Sequence, residues 1–468
     1  MFCLPTLTMT IRPPHYPYNT LIETYCAWGQ DPDLPACLSE KHPGGLSGLV
    51  RLVLKIKKSY IFELLGHFDQ GLSLLQEALG EARSAGLVVG QAEALLSAAE
   101  VWGGKGEFAR MKEAAEQALA TFEKALQLAE IHGVKEQIAS CLFDTGKLYS
   151  RLHGDNERAL RTVGRAMALC EETGDIRSQA ACLSTLGVFH NRMGNVTAAL
   201  INQQRALAHY ESMGDRYGQS VTLENIGSME GLLGNYPRAL SAYARALELT
   251  EAMGNPSGSA YILNDIGNAY EALGENERAV EHLQRSLAIR RECGERQKQA
   301  VCLMNLVSPY LCLGDLDQAR LSLSEAQAIA READPGKEYS CRLAQTTAAV
   351  ALESGDLWEA GREIDSGLLL SEALSSKRHR AQLLSLRAGL KDKQGDWQGS
   401  TADFTESINL LGSLGEKAEL AMGSYHFGQA LLAHGEKDKG RWYLGEAKRL
   451  FRDMGAQGWL SKMELEGR

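Results

Sequence analysis

The chain has 468 residues, 44% of them apolar and 23% charged. That is an ordinary make-up for a folded protein, but a single hydrophobic core rarely grows past about 250–300 residues, so several domains or a repeat array are expected. The 49 basic and 59 acidic residues leave a formal charge of −10, which argues against nucleic acid as a partner because phosphate binding rests on clustered cations.

Residues 1–45 read as an irregular leader, with Pro13-Pro14, Pro17, Pro32, Pro35 and Pro43-Gly44-Gly45. It lacks the basic start and apolar core of a secretory signal. The most apolar early stretch, Leu46 to Leu65, is broken by Arg51, Lys55, Lys57 and Lys58, short of the ~20 residues a membrane helix needs. A cytoplasmic chain without membrane insertion is expected. The ten cysteines include no C-x-x-C pair, so metal or redox spacing is missing. Cys141, Cys182 and Cys302 share one repeated helical position and read as small apolar core residues of a reducing compartment.

From residue 46 onward glycines keep a register. Gly154, Gly194, Gly234, Gly274 and Gly314 are each 40 apart, Gly355, Gly395 and Gly435 continue the series, and Gly106 and Gly66 precede it. Ten glycines mark ten units. Each is followed by a polar residue, among them Asp155, Asn195, Asn235, Glu275, Asp315 and Asp396. Glycine supplies the left-handed conformation that ends one helix, and an Asp or Asn can cap the next. Each mark therefore predicts a turn between two helices.

Residues 46–136 form degenerate units, one with a lengthened second helix at 109–130. Residues 137–333 hold the regular units. After a break at "ADPGKE" (333–338), residues 334–455 are degenerate again, and 456–468 reads as a capping helix with Trp459 and Leu460 turned inward. Small residues sit about seven before the turn (Gly146, Gly187, Gly227, Gly267, Gly428) and five after it (Ala159, Ala199, Ala239, Ala279, Gly440). A helical glycine costs about 1 kcal/mol relative to alanine. Repeating that cost implies that the two helices of each unit approach closely.

The segment "LNDIGNAYEALGENERAV", Leu263 to Val280, resembles the tetratricopeptide repeat, with Leu-Gly and Tyr on the first helix and Ala on the second. The usual unit is ~34 residues; the 40-residue units here are similar to those of kinesin light chains, cell-polarity adaptors, and bacterial signalling ATPases, cyclases and peptide-sensing regulators. The resemblance implies an all-α fold: a right-handed superhelical solenoid of about ten antiparallel helix pairs with a C-terminal capping helix.

Sequence motifs for a nucleotide loop, a zinc protease helix, a hydrolase elbow or a calcium loop are absent, so no catalytic residue, cofactor or metal is expected. The resemblance places ligands on the concave face lined by first helices. There it implies Lys147, Arg151, Ser184, Asn191, Arg192, Glu224, Ser228, Asn264, Asn268, Glu271 and Ser308 as partner-contacting residues. Asn264 and Asn268, one helical turn apart, read as an amide pair for an extended peptide backbone. Lys377, Arg378, Arg380 and Arg387 form a possible basic docking patch. The expected function is a non-catalytic scaffold binding a peptide or partner protein in the groove. The alternative is the sensory arm of a bacterial signalling protein responding to a peptide or small effector.

Overall fold

A computed structural model of the chain describes residues 68–466 except 106, 134 and 333–335, together with Leu52, Lys55, Ile56, Lys58, Ser59 and Phe62. The leader at 1–45, the turn glycines Gly66 and Gly106, and the break at 333–335 lie outside the described residues.

Among the described residues there are twenty helices and no strand. In order these are α1 (Phe68–Ser84), α2 (Val88–Lys105), α3 (Phe108–His132), α4 (Lys135–His153), α5 (Asn156–Thr173), α6 (Ile176–Arg192) and α7 (Val196–Ser212). There follow α8 (Arg216–Leu232), α9 (Tyr236–Ala252), α10 (Pro256–Ala272), α11 (Asn276–Glu292), α12 (Arg296–Cys312) and α13 (Leu316–Glu332). The last are α14 (Gly336–Ser354), α15 (Leu357–Ala373), α16 (Lys377–Lys393), α17 (Trp397–Leu414), α18 (Lys417–Ala433), α19 (Lys437–Met454) and α20 (Gln457–Glu466). Even-numbered helices up to α18 are first members of pairs and the helices that follow them are second members. The long second helix expected after residue 108 is α3, with 25 residues against 17 or 18 in most others. None of these helices is long and apolar enough to cross a membrane.

The turn glycines behave as their spacing requires. Gly154, Gly194, Gly234, Gly274, Gly314, Gly355, Gly395 and Gly435 have φ between 64° and 83°, the left-handed region that side chains disfavour. A second series, twenty residues out of phase, ends the second helices: Gly174, Gly214, Gly254, Gly294, Gly415 and Gly455. Ser375, with φ 51°, stands where that series would place a glycine. Capping divides by residue type. Asp155, Asp315, Asp356 and Asp396 accept from the N–H three residues on. Asn195, expected to cap, makes no such bond, and the Asn235 amide donates to Glu230 instead. Glu275 and Glu436 reach past the backbone to the cations of Arg278 and Lys439.

The close helix approach is real. A Cβ on Gly146 would lie 3.2 Å from the Ala159 carbonyl oxygen, on Gly187 3.1 Å from that of Ala199, and on Gly267 3.3 Å from that of Ala279. Small residue faces small residue, as the sequence pattern requires. The aromatic residue one turn beyond is clamped by an arginine of the second helix: Arg110 lies 4.7 Å from the Trp102 ring centre, Arg158 3.8 Å from Tyr149 and Arg278 4.9 Å from Tyr270. Such contacts contribute about 0.5–1 kcal/mol each at exposed sites.

The chain divides into two compact units. The first runs to Asn225 and includes Leu249–Asn255. One buried apolar cluster threads it from Ala92 to Tyr210, so each pair buries its face only against its neighbours.

The second unit comprises Ile226–Glu248 and Pro256 onward. Its helix stack closes on itself. The backbone N–H of Gly458 donates to the Leu273 carbonyl at 3.2 Å, and Lys417 Nζ donates to the Leu233 carbonyl at 2.7 Å. Trp459 is buried as expected, stacked on Phe451. Thus α20 caps the last pair and also packs on the α10–α11 turn. In this unit the end of the stack returns to its beginning.

Candidate functional site

The closed helix stack of the second unit surrounds a half-open chamber of about 910 Å³. Its wall is built mainly from first helices: Ser228 of α8, Asn268 and Glu271 of α10, Asn305 and Ser308 of α12, Arg342 and Gln345 of α14, Arg378 and Gln382 of α16, and Glu419 and His426 of α18. Tyr236 and Tyr243 of α9 and Leu411 of α17 add apolar surface.

Polar side chains tie successive first helices together. Asn305 Nδ2 donates to Asn264 Oδ1 at 3.0 Å, and Arg342 Nη2 donates to Asn305 Oδ1 at 2.6 Å. Gln345 Nε2 donates to Gln382 Oε1 at 3.1 Å, and Gln382 Nε2 to Glu419 Oε1 at 2.7 Å. Glu419 Oε1 also accepts from the Arg378 guanidinium at 2.7 Å, while its buried Oε2 has no partner among the described residues. Neighbouring repeats are therefore coupled by hydrogen bonds on the lumen side as well as by apolar packing.

Enclosure shifts the ionisable groups. Burial raises the Glu271 carboxyl, with the Ser308 hydroxyl and the Arg342 charge offsetting part of the effect. Burial likewise raises Asp265 to about 6, against a hydrogen bond from Asn264. Desolvation lowers Arg342, and enclosure holds the His426 imidazole down to about 4. Burial pushes the Tyr236 phenol up to about 12.

The chamber gathers Ser228, Asn268, Glu271, Ser308 and Arg378 from the residues expected to bind a partner. Asn264 is not among them: it is buried and spends its carbonyl oxygen on Asn305, so the expected amide pair does not face a ligand. Lys147, Arg151, Ser184, Asn191, Arg192 and Glu224 belong to the first unit and do not line the chamber. There Ser184 bonds Gln203 of its own pair at 3.2 Å, Arg192 donates to Ser150 at 2.7 Å, and Lys147 and Arg151 lie 3.6 and 3.9 Å from Asp144 and Glu100.

Three of the four cations of the basic segment have carboxylate partners. Arg380 pairs with Glu406 at 2.8 Å, Arg387 with Asp403 at 2.7 Å and Arg378 with Glu419, leaving Lys377 as an isolated exposed cation of that set. Arg342, Gln345, Gln382, Glu419 and His426 were missed. Gln345 lies three before Ala348, the register that gave Asn264 relative to Gly267, so the same rule carried into the degenerate units finds it. Arg342, Gln382 and Glu419 sit nearer the starts of their helices, where that register does not reach, and His426, two before Gly428, falls between its positions.

An antiparallel helix-pair solenoid with conserved spacing inside the chain and a half-open lumen is the architecture of helical repeat proteins. Residues 97–172, 178–252 and 258–332 each match the tetratricopeptide repeat model; these segments are tetratricopeptide repeats. No curated protein sequence matches the chain. Among solved structures, a Rap protein complexed with Competence and Sporulation Factor is 14% identical, covers 87% of this chain and 99% of its own, with a TM-score of 0.55. The Rap conjugation gene regulator of plasmid pLS20, in complex with a Phr peptide, is 12% identical over 72% of this chain and 94% of its own, TM-score 0.53. A signal transduction ATPase with a tetratricopeptide repeat sensor from Pyrococcus horikoshii is 17% identical over 77% of this chain and 53% of its own, TM-score 0.52. At these identities the likeness is one of fold.

Proposed function

We propose that the chain is a non-catalytic peptide-binding protein and that the chamber of residues 226–468 is its site. The carrying observation is the half-open lumen of about 910 Å³, within the size range of ligand sites and walled by polar side chains from six successive first helices. A peptide there meets amide and carboxylate groups for its backbone and apolar surface from Tyr236, Tyr243 and Leu411. One protein of similar fold was solved with a peptide bound, which supports the reading.

The test is selection of displayed random peptides on the purified chain, followed by titration of the winners. Ala349, on the lumen wall, is replaced by tryptophan to fill the space. Ala349→Trp should melt like the parent and bind selected peptides at least tenfold more weakly. Undiminished binding to that variant would sink the chamber as the site. A second reading, a sensor arm serving a separate effector module, is favoured by the likeness to the Pyrococcus horikoshii protein. It uses the same chamber.

A further inference from the structure

The charged groups on the chamber wall divide into those that have a counter-charge in contact and those that do not. Arg378 has Glu419 at 2.7 Å and Glu416 at 3.8 Å. Lys417 is committed to the Leu233 carbonyl. Arg342, in contrast, bonds only the neutral amide of Asn305, and the carboxylates of Glu338 and Glu271 act on it from a distance. Glu271 is held by the neutral Ser308 hydroxyl, whereas Asp265 has the Asn264 amide and the nearby charge of Arg290. Among the described residues, no carboxylate is in ion-pair contact with Arg342 and no cation with Asp265 or Glu271. Glu271 and Arg342 feel each other's charge without an ion-pair contact, and both line the chamber.

Resting on the peptide reading above, we propose that the chamber takes a peptide carrying both signs of charge, a carboxylate held by Arg342 and a cation held by Glu271. An enclosed charge without a counter-ion is costly, and a ligand that brings the missing partner relieves that cost on binding. The guanidinium of Arg342 offers a planar fork of donors that matches a carboxylate. Desolvation lowers Arg342 and raises Glu271, so burial outweighs the opposite charges near each. Fixed opposite charges on two walls also orient the peptide, since complementarity sets register and excludes wrong partners.

The test uses random heptapeptides displayed on phage, selected on the full chain. Winners should carry an acidic and a basic group, and amidated synthetic copies tell whether the acid is a side chain or the free C-terminus. Arg342→Glu should weaken a winner at least tenfold, and a peptide whose acidic group is exchanged for lysine should regain most of that loss. Glu271→Gln should remove the preference for a basic residue. Arg342→Gln is the milder substitute if Arg342→Glu melts early. Winners that are displaced by Ala349→Trp yet show no charge preference, or that bind Arg342→Glu and Arg342→Gln like the parent, overturn this inference and leave the chamber reading standing. Winners indifferent to Ala349→Trp, or no winners at all, overturn the chamber reading and this inference with it.

Discussion

Two demands coincide at Gly274. Its φ is +77°, and a Cβ there would lie 2.7 Å from the backbone nitrogen of Trp459. Gly314, with φ +76°, has nothing within 4 Å. Alanine at Gly314 meets only the left-handed penalty, about 1–2 kcal/mol. Alanine at Gly274 must also push α20 away. Gly274→Ala should therefore melt lower than Gly314→Ala and should speed amide exchange across residues 457–466. Equal melting and unchanged exchange would contradict ring closure.

Asp265 supplies a pH-dependent counterpart. Burial raises it from 3.8 to about 6, so the folded chain holds a proton there that the unfolded chain releases above about pH 4. Its contribution to stability falls as pH rises from about 4 through 6. Asp265→Asn removes that loss, so the variant's melting temperature relative to the parent should climb between pH 4 and pH 7. A difference constant across that range would contradict the enclosed carboxyl.

The helix pair is the element on which the sequence is most informative. Gly227 faces the Tyr243 ring, and a Cβ there would lie 2.6 Å from Tyr243 Cε1. Gly227→Leu overpacks this contact and should destabilise by about 2 kcal/mol or more, with loss extending into adjacent pairs; calorimetry showing the parent's melting would refute the packing account. Turn glycines and facing small residues were legible because sterics alone demand them. Capping was legible for aspartate and not for Asn195 or Asn235, since Asn235 has Glu230 as a competing partner. The arginine clamps over Trp102, Tyr149 and Tyr270 went unread because they join two helices at a spacing set by the turn. The ion pairs of Arg380 and Arg387 went unread because their partners, Glu406 and Asp403, lie on the next helix.

At the scale of the second unit, closure follows from small rotations summed over successive pairs, and no single residue encodes it. That is why Ser228, Asn268, Glu271 and Ser308 were found and Arg342, Gln382 and Glu419 were not. As the stack curves, the lumen-facing positions drift from the last turns of α8, α10 and α12 toward the first turns of α14, α16 and α18. A fixed register cannot follow that drift, and the polar ladder from Asn264 to Glu419 is visible only once the helices are side by side. The central claim is that this lumen receives the ligand. The most direct measurement is photo-cross-linking with a selected peptide carrying a benzophenone, followed by mass spectrometry of the labelled sites. The account predicts labels on chamber residues such as Ser308, Gln345, Gln382 and Met422. Labels confined to residues 68–225, or to outward positions such as Trp358 and Trp442, would contradict it.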